Sequence, residues 1–127
     1  MRENATRKVS RGERTEPQMR RASLVIVEGG AEGSEFELDR ESCVVGRGPG
    51  VDLALEDTAI SRQHAAFELT AGGHRVRDLG STNGVRVNGA PVDVADLKHG
   101  DRVGLGEHVL QYLVETRERA PRAFQVD

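Results

Sequence analysis

The chain has 127 residues, of which 31% are charged and 3% aromatic, with a formal net charge of −3 and a single cysteine, Cys43. That length suits one domain with tails, and one cysteine excludes an internal disulfide framework or a multi-cysteine metal cluster. No apolar run is long enough to cross a bilayer and the first residues are polar and charged, so a cytoplasmic protein is expected.

Residues 1–21 carry seven Lys or Arg against three Glu (+4), with Pro17 and hardly any apolar side chains, and read as a disordered basic tail. Residues 22–114 carry eight basic against fifteen acidic side chains (−7), which lacks the clustered basic face that nucleic acid requires. Neither nucleic acid nor a membrane is an expected partner. The domain itself is expected over residues 22–116, and residues 117–127, with Pro121 and mixed charges, as a tail or linker.

From Ala22 onward short apolar runs are broken by Gly, Asn and Asp at the spacing of an all-β sandwich or barrel. The run "SLVIVE" is a strand, and "GGAEG" turns it into "SEFELD", where Phe36 and Leu38 alternate with Glu35, Glu37 and Asp39. "SCVVGR" and "DLAL" follow, with Cys43 as a small packing residue. "HAAFEL" is expected to place Ala65, Phe67 and Leu69 on one face, and "HRVRDL" to set His74 and Val76 opposite Arg75 and Arg77. After "GSTNG" and "VRV", the dipeptide Asn88–Gly89 is a hairpin signal, because both central residues of a type I′ turn need positive φ. "APV", "RVGL" and "HVLQYLV" bring the count to ten or eleven strands with no convincing helix.

Three loops gather residues that do little for a core: Gly46 and Arg47 in "VGRGPG", Ser61, Arg62 and His64 in "AISRQHAAF", and Ser81, Thr82 and Asn83 in "DLGSTNG". They are nearly all hydrogen-bond donors, an inventory that suits a dianion with several acceptor oxygens, since a guanidinium engages two oxygens at once. The nucleotide loops fit poorly. The glycines of "VGRGPG" are followed by no Lys and lead into a short strand, not a helix. A hydrolase would need a nucleophile beside an oriented base, and Ser61 has neither a "GxSxG" elbow nor an oriented acid. His74, His99 and His108 are scattered without metal-ligand spacing, and no cofactor is expected. Arg86 is expected on a solvated face.

The set "GR", "SRxH" fourteen residues after that Arg, "STNG" and a following "VNG" resembles the forkhead-associated (FHA) domain family over about residues 24–114. The resemblance implies an eleven-stranded β-sandwich with recognition loops at one end, and a non-enzymatic module that binds phosphothreonine proteins downstream of a Ser/Thr kinase. It implies that Arg47 and Ser61 bond the phosphate, that Arg62 touches phosphate or peptide, that Thr82 lines the phosphothreonine pocket and that Asn83 bonds the peptide backbone. By the same resemblance His64 braces the loops and Gly46, Gly84 and Gly89 are turn glycines. Ala59 stands where some members place a basic residue that reads the peptide. Two alternatives stand beside this: a switch in which a phosphorylated Thr15 or Thr6 of the tail fills the domain's own pocket, and a phosphate-independent scaffold.

Overall fold

The computed structural model describes residues 20–116. The expectations for residues 1–19 and 117–127, with Thr6 and Thr15 among them, lie outside the described residues, whereas Arg20 and Arg21, expected in the tail, already belong to the first strand. Ala22–Leu113 form one compact unit.

Among the described residues there are eleven strands: β1 (Arg20–Glu28), β2 (Glu35–Glu37), β3 (Ser42–Gly46), β4 (Leu53–Ala54), β5 (Ala65–Thr70), β6 (Gly73–Asp78), β7 (Val85–Val87), β8 (Ala90–Val92), β9 (Val94–Asp96), β10 (Arg102–Leu105) and β11 (His108–Thr116). They form a five-stranded sheet, β9-β6-β5-β3-β4, and a six-stranded sheet, β2-β1-β11-β10-β7-β8. All the pairings with a recorded register are antiparallel except β3 with β4, where Val45 faces Leu53. The chain is thus the expected all-β, eleven-stranded sandwich.

Period-two alternation sends Leu24 and Ile26 of β1, Val103 and Leu105 of β10, and Leu110 and Tyr112 of β11 into the core from one sheet. Cys43, Val45, Phe67 and Val76 enter from the other, and all ten side chains are buried. Cys43 is fully buried, and desolvation pushes its thiol pKa up, as suits a packing residue and not a nucleophile. The β7–β8 hairpin turns at Asn88 and Gly89, with φ of 52° and 87°, as the type I′ signal predicts.

Two local expectations need correction. Leu69 does not join Ala65 and Phe67 inside: it is 55% exposed, because β5 runs out one residue later and no described residue covers that rim. Ala66, on the opposite face, is instead buried between its register partners Val44 and Arg77. Arg86 lies on the outer face of its sheet but is half-buried and not freely solvated. Its guanidinium lies over Gly104, its neighbour on β10, and donates from Nη2 to the Gly106 carbonyl at 3.0 Å.

Candidate functional site

The three donor-rich loops meet on one short stretch of backbone, Ala59–Ser61, in the connection between β4 and β5. Asn83 donates from Nδ2 to the Ala59 carbonyl at 2.9 Å, and Arg47 donates from Nε to the Ile60 carbonyl at 2.9 Å. The Arg47 amide donates to the Ser61 carbonyl at 3.0 Å, and the Gly48 amide to the Arg62 carbonyl at 3.3 Å. The first loop therefore lies flat along the second. Only glycine fits at position 46: a β-carbon there would land in the Arg62 carbonyl.

The third loop is joined to the second through His64, which is wholly buried. Its Nδ1 accepts the Ser61 amide at 3.0 Å and its Nε2 lies 2.7 Å from the Gly84 carbonyl. An N–H facing Nδ1 and a carbonyl facing Nε2 assign the neutral tautomer with its proton on Nε2. The Thr82 amide donates to Ser61 Oγ at 3.0 Å, and Gly84 N donates to Ser81 Oγ at 2.8 Å. Asp78 holds the start of this loop by accepting the Ser81 amide at 2.8 Å.

These bonds decide what is left over for a ligand. Arg47 uses Nε internally but is exposed, so its η nitrogens remain available, and no carboxylate among the described residues pairs with it. Ser61 Oγ accepts from Thr82 and keeps its proton to donate. Asn83 retains one N–H and its carbonyl oxygen, a donor and acceptor pair suited to an extended backbone. Arg62 is exposed, its stem packed over Gly48, and the Thr82 hydroxyl lies on the exposed tip of the third loop. The result is a rigid, outward-facing set of donors around two guanidiniums, which can hold an anion with several oxygens. Both ring nitrogens of His64 are committed to backbone groups, so the ring does not serve Ser61 Oγ as a base.

Arg47, Ser61, Arg62, Thr82 and Asn83 are thus brought together, with Gly46, His64 and Gly84 among their supports. Gly89 is not part of this cluster; its turn is held by Asn88, which bonds Asp101 and Arg102. Sequence reasoning missed Asp57, whose carboxylate accepts Ala59 N through Oδ1 at 2.8 Å, and Glu107 N at 2.8 Å and His108 Nδ1 at 2.9 Å through Oδ2. The hydrogen bond from His108 first, then those from the Ala59 and Glu107 amides, hold this carboxyl below the usual carboxylate range against the opposing effect of burial. An Asp two residues before a capped amide is a legible Asx-turn signal; its partner His108, 51 positions away, left none.

The family model described as "Inner membrane component of T3SS, cytoplasmic domain" matches residues 25–116. Among curated relatives, the glycogen accumulation regulator GarA of Mycolicibacterium smegmatis is 45% identical over 72% of this chain and 58% of its own length. The oxoglutarate dehydrogenase inhibitor of Corynebacterium jeikeium is 38% identical over 76% of this chain and 67% of its own length. The chain spans about three fifths of the length of the GarA proteins it matches. A solved structure from a study of phosphothreonine-dependent FHA domain interactions superposes with a TM-score of 0.68 at 31% identity, covering 73% of this chain and 95% of that one.

Proposed function

Because the chain belongs to the forkhead-associated family, the FHA-like secretion-system cytoplasmic domain matched over residues 25–116 included, we propose that it binds phosphothreonine in partner proteins and performs no catalysis. The observation that carries this is the convergence of Arg47, Ser61 and Asn83 on the Ala59–Ser61 backbone, which leaves their remaining donors facing outward. In this reading the Arg47 η nitrogens and the Ser61 hydroxyl bond the phosphate, with Arg62 beside them. Thr82 lines the pocket, and Asn83 bonds the peptide backbone next to the phosphoresidue. The binding module occupies residues 22–116 between two tails, works in the cytoplasm, and reads the product of a Ser/Thr kinase. Relatives named as a glycogen accumulation regulator and an oxoglutarate dehydrogenase inhibitor support a regulatory role, in which the partner is a protein whose activity or location changes on binding.

The test is titration of a degenerate phosphothreonine peptide library with native protein and Arg47→Ala. Loss of the main counter-charge should weaken binding by about 2–5 kcal/mol. Arg47→Lys should recover only part of this, since an ammonium offers neither the two-pronged phosphate contact nor the Nε bond to Ile60. Equal affinity of native protein and Arg47→Ala, or equal binding of the unphosphorylated library, refutes the reading and favours a phosphate-independent scaffold.

A further inference from the structure

We propose that Asp57 and His108 are positioning residues for this pocket: a link from the β10–β11 turn of the six-stranded sheet fixes the backbone stretch on which Arg47 and Asn83 rest. The consequence for binding rests on the phosphothreonine reading; the positioning itself is a property of the unbound chain.

The Ala59–Ser61 stretch receives Asn83 Nδ2, Arg47 Nε and the Arg47 amide on three successive carbonyls. A shift of this stretch therefore moves two ligand-facing side chains together. Asp57 fixes its near end twice, accepting the Ala59 amide on Oδ1 and the Ile60 amide on its backbone carbonyl at 2.9 Å. The other carboxylate oxygen is tied outside the loop, to Glu107 N and to His108 Nδ1. Both side chains are buried, His108 at 6% exposure and Asp57 at 7%, so water does not readily replace either partner. Gly106 completes the contact: a β-carbon there would sit 2.8 Å from Ile60 Cγ1 and 3.0 Å from Asp57 Oδ2, so the turn and the loop press directly together. Anchoring an anion-binding loop to the neighbouring sheet through a buried carboxylate keeps its donors aimed before any ligand arrives, which lowers the ordering cost of binding.

The test uses three variants of the full chain. His108→Leu removes the donor to Asp57, His108→Asn sets an amide nitrogen about where Nδ1 stands, and Val76→Ala lowers stability from the core without touching the link. Two readouts are taken: the Arg47 Nε–H signal by NMR in the unbound protein, both its chemical shift and its exchange rate, and affinity for the degenerate phosphothreonine library. His108→Leu should speed Arg47 Nε–H exchange and weaken library binding about tenfold or more, the loss expected from one charge-assisted bond. His108→Asn should return both readouts to within about threefold of native, and Val76→Ala should leave the Arg47 signal at its native chemical shift. Native behaviour of His108→Leu, failure of His108→Asn to rescue, or an equal shift in Val76→Ala each overturns the proposal. If His108→Leu does not fold, Asp57→Asn is read in its place, since it turns an amide toward the Glu107 and His108 donors. If native protein binds no phosphothreonine peptide the functional reading falls, while the Arg47 signal still decides the positioning.

Discussion

His64→Leu is the sharpest test of how the loops are held. The substitution is close to volume-neutral, so its cost comes from hydrogen bonds and not from a cavity. Leucine leaves the Ser61 amide without its acceptor at Nδ1 and the Gly84 carbonyl without its donor at Nε2, two backbone groups bonded at 3.0 and 2.7 Å in the native protein. An orphaned buried backbone group costs about 1–3 kcal/mol. Both groups lie at the edge of the core, where some water can reach them, so the lower part of that range applies and the sum is about 2–4 kcal/mol. For a domain of this size that corresponds to a fall in Tm of roughly 10–25 °C, a large share of a marginal total stability. Urea unfolding followed by circular dichroism, with the m-value checked for constancy, measures it directly. A loss below about 1 kcal/mol would mean that water or a loop shift satisfies both groups, and that His64 does not join the second and third loops.

Gly46→Ala forces a β-carbon into the Arg62 carbonyl and must push aside the segment that receives the Arg47 and Gly48 amides. It should destabilise the domain by about 1–3 kcal/mol in urea melts and weaken library binding at temperatures where the variant remains folded. Stability should also depend on pH in two separate windows. Burial lowers the pKa of His74, which is 6% exposed, bonded through Nδ1 to the Tyr112 hydroxyl at 2.9 Å, and has no partner at Nε2 among the described residues. The unfolded chain therefore takes up a proton that the folded chain refuses, so the His74 contribution is intact above the ordinary value of 6.5 and is lost as pH falls below it. Asp57 adds a second loss only as pH falls from the ordinary 3.8 through its lowered value. Urea melts from pH 8 to pH 5 should show the first slope in native protein and a flatter one in His74→Phe; an identical slope in both would assign it elsewhere.

Much of the fold was legible because short strands with one buried face write a period of two into the sequence. His74 and Val76 inside against Arg75 and Arg77 outside is the clearest case, with both arginines sharing Glu68 across the outer face. The Asn88–Gly89 turn was legible because its backbone admits few other residues. The β9 strand was not. Three residues carry too little alternation, and its pairing with β6 places Val94 opposite Arg77, a contact set by topology and not by local pattern. Arg86 misled for a related reason: a long cationic side chain on a strand is read as solvated, whereas here the missing side chain of Gly104 gives it a surface to lie on.

The candidate site divides the same way. Arg47, Ser61 and Asn83 stood out because their side-chain chemistry is unusual for a turn, but what they grip is a row of carbonyls that any amino acid supplies. Two consequences follow from using backbone as the anchor. Ile60 is free to spend its side chain on the core, where it is 1% exposed, so the same residue that holds Arg47 through its carbonyl pins the loop to the sandwich. Ala59 holds Asn83 through its carbonyl alone, which leaves its side-chain position open to substitution without disturbing the geometry that Asn83 needs. On the proposed phosphothreonine reading, the sequence at that position is free to change what the loop reads in a peptide without disturbing the Arg47 and Asn83 bonds to backbone. The fixed requirement lies two residues earlier, at Asp57, and in the β10–β11 turn to which it is tied.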